Sequence, residues 1–245
     1  MNKILFIGDV HGLDEWQAIA KDALTNFYEI VFLGDYVDSF FVKGIHQIDN
    51  LRRLINFKKQ HLDKNITFLL GNHDYAYLNG YSGTSGYQHQ LYYEYKTLFQ
   101  ENIGLFSIAW GHTDSFNKYT LATHAGLTYN YWKRNIIPEF NKDNFLYNIT
   151  NGKNPSDLPI HETLNYLRDK NEILWKVGPM RGGGSIPGPL WADYQELLDD
   201  PFPDINQVFG HTPKVSVSVD HIGDEFYACV DSWGNKKVAS LILNL

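Results

Sequence analysis

A single cysteine, Cys229, stands among the 245 residues. No disulfide can form within the chain, and a cysteine-rich zinc site is excluded. Long hydrophobic runs are missing too: no stretch approaches the ~20 apolar residues that span a membrane. The run Ile4-Leu5-Phe6-Ile7 ends at Gly8-Asp9, too soon to serve as the hydrophobic part of a signal peptide. Positive charge is in deficit, with 21 Lys and Arg against 28 Asp and Glu and a formal net charge of -7. That balance argues against a protein built to grip a nucleic-acid backbone, while leaving room for a local basic pocket. No low-complexity linker or shift of composition divides the chain, so residues 1–245 read as one domain. What is present is ordinary globular composition, 43% hydrophobic and 20% charged, enough for a sizeable core. The expectation is a soluble, cytoplasmic protein without a membrane partner.

The informative feature is a recurring local pattern. A short apolar run ends at a Gly or small residue, and Asp, Asn or His follows. It occurs as Ile4-Leu5-Phe6-Ile7-Gly8-Asp9, Ile30-Val31-Phe32-Leu33-Gly34-Asp35 and Ile66-Thr67-Phe68-Leu69-Leu70-Gly71-Asn72. Looser versions are Tyr119-Thr120-Leu121-Ala122-Thr123-His124 and Gln207-Val208-Phe209-Gly210-His211. Such runs suit strands buried on both faces. Between the first two, Leu13, Trp16, Ala20, Ala23 and Phe27 share one helical face; between the second and third, Ile45, Ile48, Leu51, Ile55 and Leu62 form another stripe. Strand–helix–strand–helix–strand implies parallel strands with right-handed crossovers, all ending at one sheet edge, where ligands bind. Five polar clusters far apart in sequence are then expected to converge. The C-terminal part differs. Val215–Val219 alternates as a half-buried strand does, and 225–230 and 238–243 add two more strand candidates, suggesting an antiparallel or mixed sheet packed on the first. The Asn-, Gly- and Pro-rich middle, 128–190, holds a possible helix around His161–Trp175.

The strand ends deliver Asp9 and His11, then Asp35 and Asp38, then Asn72, His73 and Asp74, then His124 and His211. Converging carboxylates repel one another and raise each other's pKa values, a problem that divalent cations remove. Mixed imidazole and carboxylate ligands suit Mn, Fe or Zn better than Ca or Mg. Asp35, with two oxygens, can bridge two ions roughly 3.5–4 Å apart. Gly8, Gly34, Gly71 and Gly210 each precede a ligand candidate, where a missing Cβ permits a sharp turn.

Gly8-Asp9-Val10-His11-Gly12, Gly34-Asp35-Tyr36-Val37-Asp38, Gly71-Asn72-His73-Asp74, His124-Ala125-Gly126 and Gly210-His211-Thr212-Pro213 resemble, in order, the motif set of the calcineurin-like metallophosphoesterases. The closest likeness is to the serine/threonine phosphoprotein phosphatase branch and its bacterial and phage relatives. The resemblance implies an α/β fold of the α/β/β/α sandwich type, two mixed β-sheets flanked by helices. It implies two divalent metal ions, manganese first, with iron, zinc or nickel as alternatives. Asp9, His11 and Asp35 would hold one ion; Asp35, as the bridge, with Asn72, His124 and His211 would hold the other. His73 would be the general acid, oriented and kept protonated by Asp38. Arg181, ahead of Pro189-Leu190-Trp191-Ala192-Asp193, would clamp the phosphate. The implied activity is hydrolysis of phosphate monoesters, possible substrates including phosphoserine or phosphothreonine proteins, by attack of a metal-bound hydroxide. A nucleotide phosphohydrolase or phosphodiesterase is the alternative, acting on dinucleoside polyphosphates or cyclic nucleotides. A non-catalytic binding scaffold ranks lower, since no ligand residue is lost.

Two departures bear on substrate. Ser39 and Phe40 stand where the phosphoprotein phosphatases usually continue with Arg-Gly, so one phosphate-binding arginine is missing. Pro213 stands where many phosphodiesterase-type relatives carry a second His, which favours the phosphatase-like branch. Several residues have plainer readings. Asp38 could cap a helix, and Asp74 is expected to cap the segment that follows it. Trp110-Gly111-His112-Thr113 copies the Gly-His-Thr pattern, but motif order makes His112 structural or superficial. His46, His61, His89, His161 and His221 lie outside motifs; Cys229 reads as core; Asp231 is a turn or supporting residue. Tyr75–Tyr95 holds seven tyrosines. Its loop 79–87 is expected to cover the site and help select substrate, for example by stacking on a base.

Overall fold

The computed structural model describes residues 3–27, 29–142, 158–232 and 237–245. Part of the middle segment, 143–157, therefore lies outside the described residues. The chain groups into two compact units that interleave along the sequence. Unit 1 comprises residues 1–107, 213–218 and 230–245; unit 2 comprises 108–212 and 219–229. No described helix is long and apolar enough to cross a membrane.

Unit 1 is built on β1 (Lys3–Ile7), β2 (Glu29–Phe32), β3 (Asn65–Leu69) and β4 (Phe106–Ser107), with α1 (Trp16–Asn26), α2 (Gly44–Gln60), α3 (Asn72–Asn79) and α4 (Tyr92–Glu101) between them. The expected parallel crossovers are there: Phe6 lies opposite Val31, and Val31 opposite Thr67. These strands are apolar along their length because both faces are covered. Trp16 meets Phe32 edge-on at 5.9 Å, Phe32 meets Phe68 at 4.9 Å, and Phe68 meets Phe106 at 5.8 Å. Such ring pairs add to burial alone. Of the α1 face, Trp16, Ala20 and Ala23 are buried. The α2 stripe holds at Ile48, Leu51 and Ile55, with Leu54 beside them. Ile45 and Leu62 are exposed instead, since Ile45 sits in the first turn and Leu62 follows the helix end.

Unit 2 carries β5 (Ala109–Thr113), β6 (Tyr119–Thr123), β7 (Ile205–Phe209), β8 (Ser218–Ile222) and β9 (Glu225–Cys229), ordered β5-β6-β7-β9-β8. β5 runs antiparallel to β6, while β6, β7 and β9 are parallel. Two of its helices are α5 (Ile160–Tyr166) and α6 (Tyr194–Asp199). Both sheets are thus mixed, each flanked by helices.

Four expectations need correction. The five motif-bearing strands do not share one sheet: β1, β2 and β3 belong to the first, β6 and β7 to the second. The Val215–Val219 alternation is not the strand. β8 starts at Ser218 and turns into β9 through Gly223, at φ 64°, while Val215 and Val219 stay exposed. Alternation marks a strand only where one face is covered. The last strand candidate, observed as β10 (Ser240–Asn244), joins the first sheet rather than the second, antiparallel to β1 with Leu5 opposite Ile242. The helix expected at His161–Trp175 is likewise broken, into α5 and a short turn of helix at Asn171–Leu174.

One half-buried cation in unit 1 has a measurable consequence. The Lys58 ammonium donates to the Leu105 carbonyl and lies 5.0 Å from the centre of the Phe68 ring. Burial pulls its pKa from 10.5 down to about 8. Between those values the unfolded chain binds the extra proton, so stability rises with pH. Relative to Lys58→Met, the wild type is expected to gain about 1–2 kcal/mol between pH 7.5 and pH 10, less than the full shift because solvent screens part of it. Urea midpoints of both proteins across that range check this; parallel curves would refute it.

Candidate metal and catalytic site

Parallel strands that stop together leave their following loops at one edge. In unit 1, Asp9 follows β1, Asp35 follows β2 and Asn72 opens α3 directly after β3. The loops are laced by backbone hydrogen bonds: Val10 and His11 both donate to the Asp35 carbonyl, at 3.1 and 2.7 Å, and Gly12 donates to that of Tyr36 at 2.9 Å. The packing admits no side chain at Gly71, where a Cβ would stand 2.1 Å from Asp35 Oδ1. Gly34 adopts φ 105°, which only glycine takes without cost. Among the described residues, six that are not glycine have positive φ; four of them are His11, Asp35, Asp38 and His211. Backbone strain of this kind costs about 1–3 kcal/mol per residue and persists where the surroundings impose it, often at functional sites.

Asp9, His11 and Asp35 are buried, and one ligand atom from each lies within 4.8 Å of the other two. The imidazole Nδ1 of His11 donates to the Val37 carbonyl at 2.8 Å, because a carbonyl only accepts. Burial lowers the His11 pKa and outweighs the charge of Asp35. The neutral ring therefore turns the lone pair of Nε2 toward Asp9 Oδ2 at 3.9 Å and Asp35 Oδ2 at 3.8 Å. A lone pair facing two carboxylates is repulsive, and it becomes favourable with a cation among them. The donor set fits a transition-metal ion.

Beside it lies a second arrangement. His73 Nδ1 stands 2.9 Å from Asp38 Oδ2, and its backbone N–H donates to Asp35 Oδ1 at 3.0 Å. A carboxylate accepts, so Nδ1 carries the proton, and Nε2 at the other end of the ring lies 3.9 Å from Asp35 Oδ2. Burial would lower the His73 pKa, but Asp35, Asp38 and Asp74 together prevail and raise it. Asp38 caps no helix; α2 begins after Lys43. Asp74 does cap α3, accepting from the N–H of Gly71 at 2.9 Å and of Tyr36 at 2.8 Å. Burial, then the Asp35 charge, push its carboxyl well above the usual range. Asn72 is buried at the start of α3. Ser39, in place of the family arginine, accepts from the N–H groups of Phe41 and Val42 at 3.2 Å and shapes the turn before α2.

In unit 2, His124 follows β6 and His211 follows β7. Both are buried, with His124 Nε2 3.2 Å from His211 Nδ1. Arg181 lies near the second of them. Its Nη2 donates to the His211 carbonyl at 3.3 Å, to Thr212 Oγ1 at 3.1 Å and to Asp193 Oδ2 at 3.0 Å. Asp193 also caps α6, accepting from the Gln195 N–H at 3.0 Å. Arg181 Nε and Trp191 Nε1 are buried donors without a partner among the described residues.

The decoys behave as plain structure. His112 is half-buried in β5 and stacks on Trp110 at 6.0 Å, and His161 Nδ1 meets the Tyr119 hydroxyl at 2.8 Å. His61 bonds its own helix at Phe57. His46, His89 and His221 are exposed. Cys229 is buried in the core with Ala125, Tyr194 and Phe209. Asp231 is buried, its carbonyl accepting from Lys214. Residues that the sequence reading missed are Tyr77 and Thr84, both bonded to Asp38. The signal available for Tyr77 was its spacing: four positions after His73, it falls on the same face of α3. Within the loop 79–87, Tyr87 is stacked flat on Tyr77 at 4.5 Å, while Tyr81 is exposed.

The fold has counterparts among solved structures. A cold-active protein tyrosine phosphatase structure matches all of this chain and 74% of its own, at 20% identity and a TM-score of 0.56. A protein serine/threonine phosphatase from Saccharomyces cerevisiae, with similarity to human phosphatase PP5, matches 95% of this chain and 68% of its own, at 15% identity and a TM-score of 0.50. At such identities the likeness concerns fold. No curated protein sequence matches significantly. A sequence profile of the calcineurin-like phosphoesterases matches residues 2–229, and the chain belongs to that family.

Proposed function

We propose that this protein is a metal-dependent phosphomonoesterase, with phosphoserine or phosphothreonine proteins among its possible substrates. The observation that carries the reading is the buried Asp9–His11–Asp35 donor set beside the His73–Asp38 pair. The first three would hold one divalent ion. Motif order assigns a second ion to Asp35, Asn72, His124 and His211. When bound, such ions lower the pKa of water and offset charge on a phosphoryl group. His73 donates a proton from Nε2 to the departing oxygen, while Asp38 fixes the tautomer and ring plane through Nδ1. Arg181 is assigned to the phosphate: Asp193 holds one end of the guanidinium, and its buried Nε is a donor in want of an acceptor. Pro213, in place of a further histidine, supports monoesters over diesters.

The test is a screen with Mn2+, Fe2+, Zn2+ or Ni2+ against phosphopeptides, p-nitrophenyl phosphate, bis-p-nitrophenyl phosphate and dinucleoside polyphosphates. Monoester hydrolysis is expected to lead and to disappear with chelator. Metal at 100 times its Kd is expected to stabilise the fold by about 2.7 kcal/mol. Preference for the diester or the dinucleotide would replace the substrate assignment. Absence of both hydrolysis and metal stabilisation would end the reading.

A further inference from the structure

We propose that Tyr77 is a positioning residue for the acid: through Asp38 it sets the ring of His73, and it ties the loop 80–88 to that pair. The proposal rests on the phosphoesterase reading above and adds a residue to it. Asp38 is fully buried, and its two oxygens have different partners. Oδ2 takes the His73 Nδ1–H at 2.9 Å and the Thr84 hydroxyl at 3.4 Å. Oδ1 takes the Tyr77 hydroxyl at 2.5 Å. A carboxylate held at one oxygen alone can rotate about χ2, which is broad for aspartate. Held at both, it presents Oδ2 in a single plane, and the imidazole must follow.

Tyr77 is itself immobilised. Its oxygen accepts the Gln88 N–H at 2.7 Å, and its ring is stacked on Tyr87 at 4.5 Å and packed against Tyr95 at 4.6 Å. Burial and the Asp38 charge keep its hydroxyl protonated far beyond the ordinary range, so it remains a donor. The loop is gathered on the same group. Thr84 reaches Asp38 from one side, and Gly86, at φ 74°, passes so close that a Cβ would stand 2.9 Å from the Asp38 carbonyl oxygen. Displacement of this loop therefore reaches His73 through Asp38 and Tyr77. The acid's aim is coupled to a segment that no ligand motif includes.

Tyr77→Phe tests this, since the ring stack survives and only the hydroxyl is lost. With wild-type activity established, kcat for phenyl phosphate, a poor leaving group, is expected to fall about tenfold, part of what a general acid supplies. For p-nitrophenyl phosphate, whose leaving group needs little help, kcat should stay within about twofold. Thr84→Val is expected to shift the same ratio in the same direction, by less. Equal losses on both substrates, or none on either, would overturn the proposal, because a purely structural tyrosine does not discriminate leaving groups. A second measurement is independent of turnover: the Nδ1 proton resonance of His73, identified by its absence in His73→Asn. It is expected to shift or broaden in Tyr77→Phe. An unchanged resonance would overturn the proposal even with an active enzyme, whereas a shift without hydrolysis of any substrate would support the positioning and sink the functional reading alone.

Discussion

Asp35→Asn is expected to lower turnover by about a thousandfold or more, the equivalent of several kcal/mol of lost charge stabilisation. The change is nearly isosteric. The Asn carbonyl oxygen can still accept the His73 N–H that Asp35 Oδ1 accepts now, and the backbone bonds from Val10 and His11 are untouched. What disappears is one negative charge among buried groups that crowd together. Two opposite stability effects follow, and their signs separate electrostatics from misfolding. Without metal, the variant is expected to be more stable than the wild type by about 1–2 kcal/mol, since a buried charge has been removed and the pressure on Asp74 relieved. With metal, the wild type gains stability and the variant does not. Metal analysis after gel filtration, with thermal melts in chelator and in Mn2+, gives both signs. A variant that keeps its metals and its melting shift would remove Asp35 from the ligand set.

His73→Asn should divide the two functions of the same edge. Turnover of poor leaving groups is expected to drop by about 10²–10³-fold, within the range for losing a general acid, with a much smaller loss for p-nitrophenyl phosphate. Metal content should match the wild type, because His73 contributes its Nδ1–H to Asp38 and its backbone N–H to Asp35. Loss of metal in this variant would mean that His73 is a ligand and that the acid lies elsewhere.

The first sheet was readable because its strands are short, continuous and apolar. Ile4–Ile7, Ile30–Phe32 and Ile66–Leu69 are each followed by a glycine and a polar residue, or nearly so, and chain direction then places the polar residues together. The same logic reached His124 and His211 but put their strands in the same sheet, whereas β6 and β7 belong to the second, since strand partnership is a property of the folded chain. β4, only Phe106–Ser107, is too brief to have a period. β10 reads as an amphipathic run, and nothing local says that it will pair with β1. The roles that local motifs could carry were assigned from resemblance. Those requiring a side chain to reach across the fold were not. The Tyr77 hydroxyl meets a carboxylate 39 positions earlier, and the tyrosine count of its neighbourhood suggested packing or ligand stacking instead. The Val215–Val219 alternation misled for the converse reason, showing a strand period on residues that no layer covers.

The pairing of β10 with β1 joins two strands that lie far apart along the chain. While the ribosome is working, β1 can acquire its parallel neighbour β2 early, but its other edge stays open until Ser240–Asn244 emerge. An unpaired edge invites other chains. Nascent protein in a crowded polysome therefore carries an adhesive seam until β10 is made, and a chaperone covering β1 over that interval would protect yield.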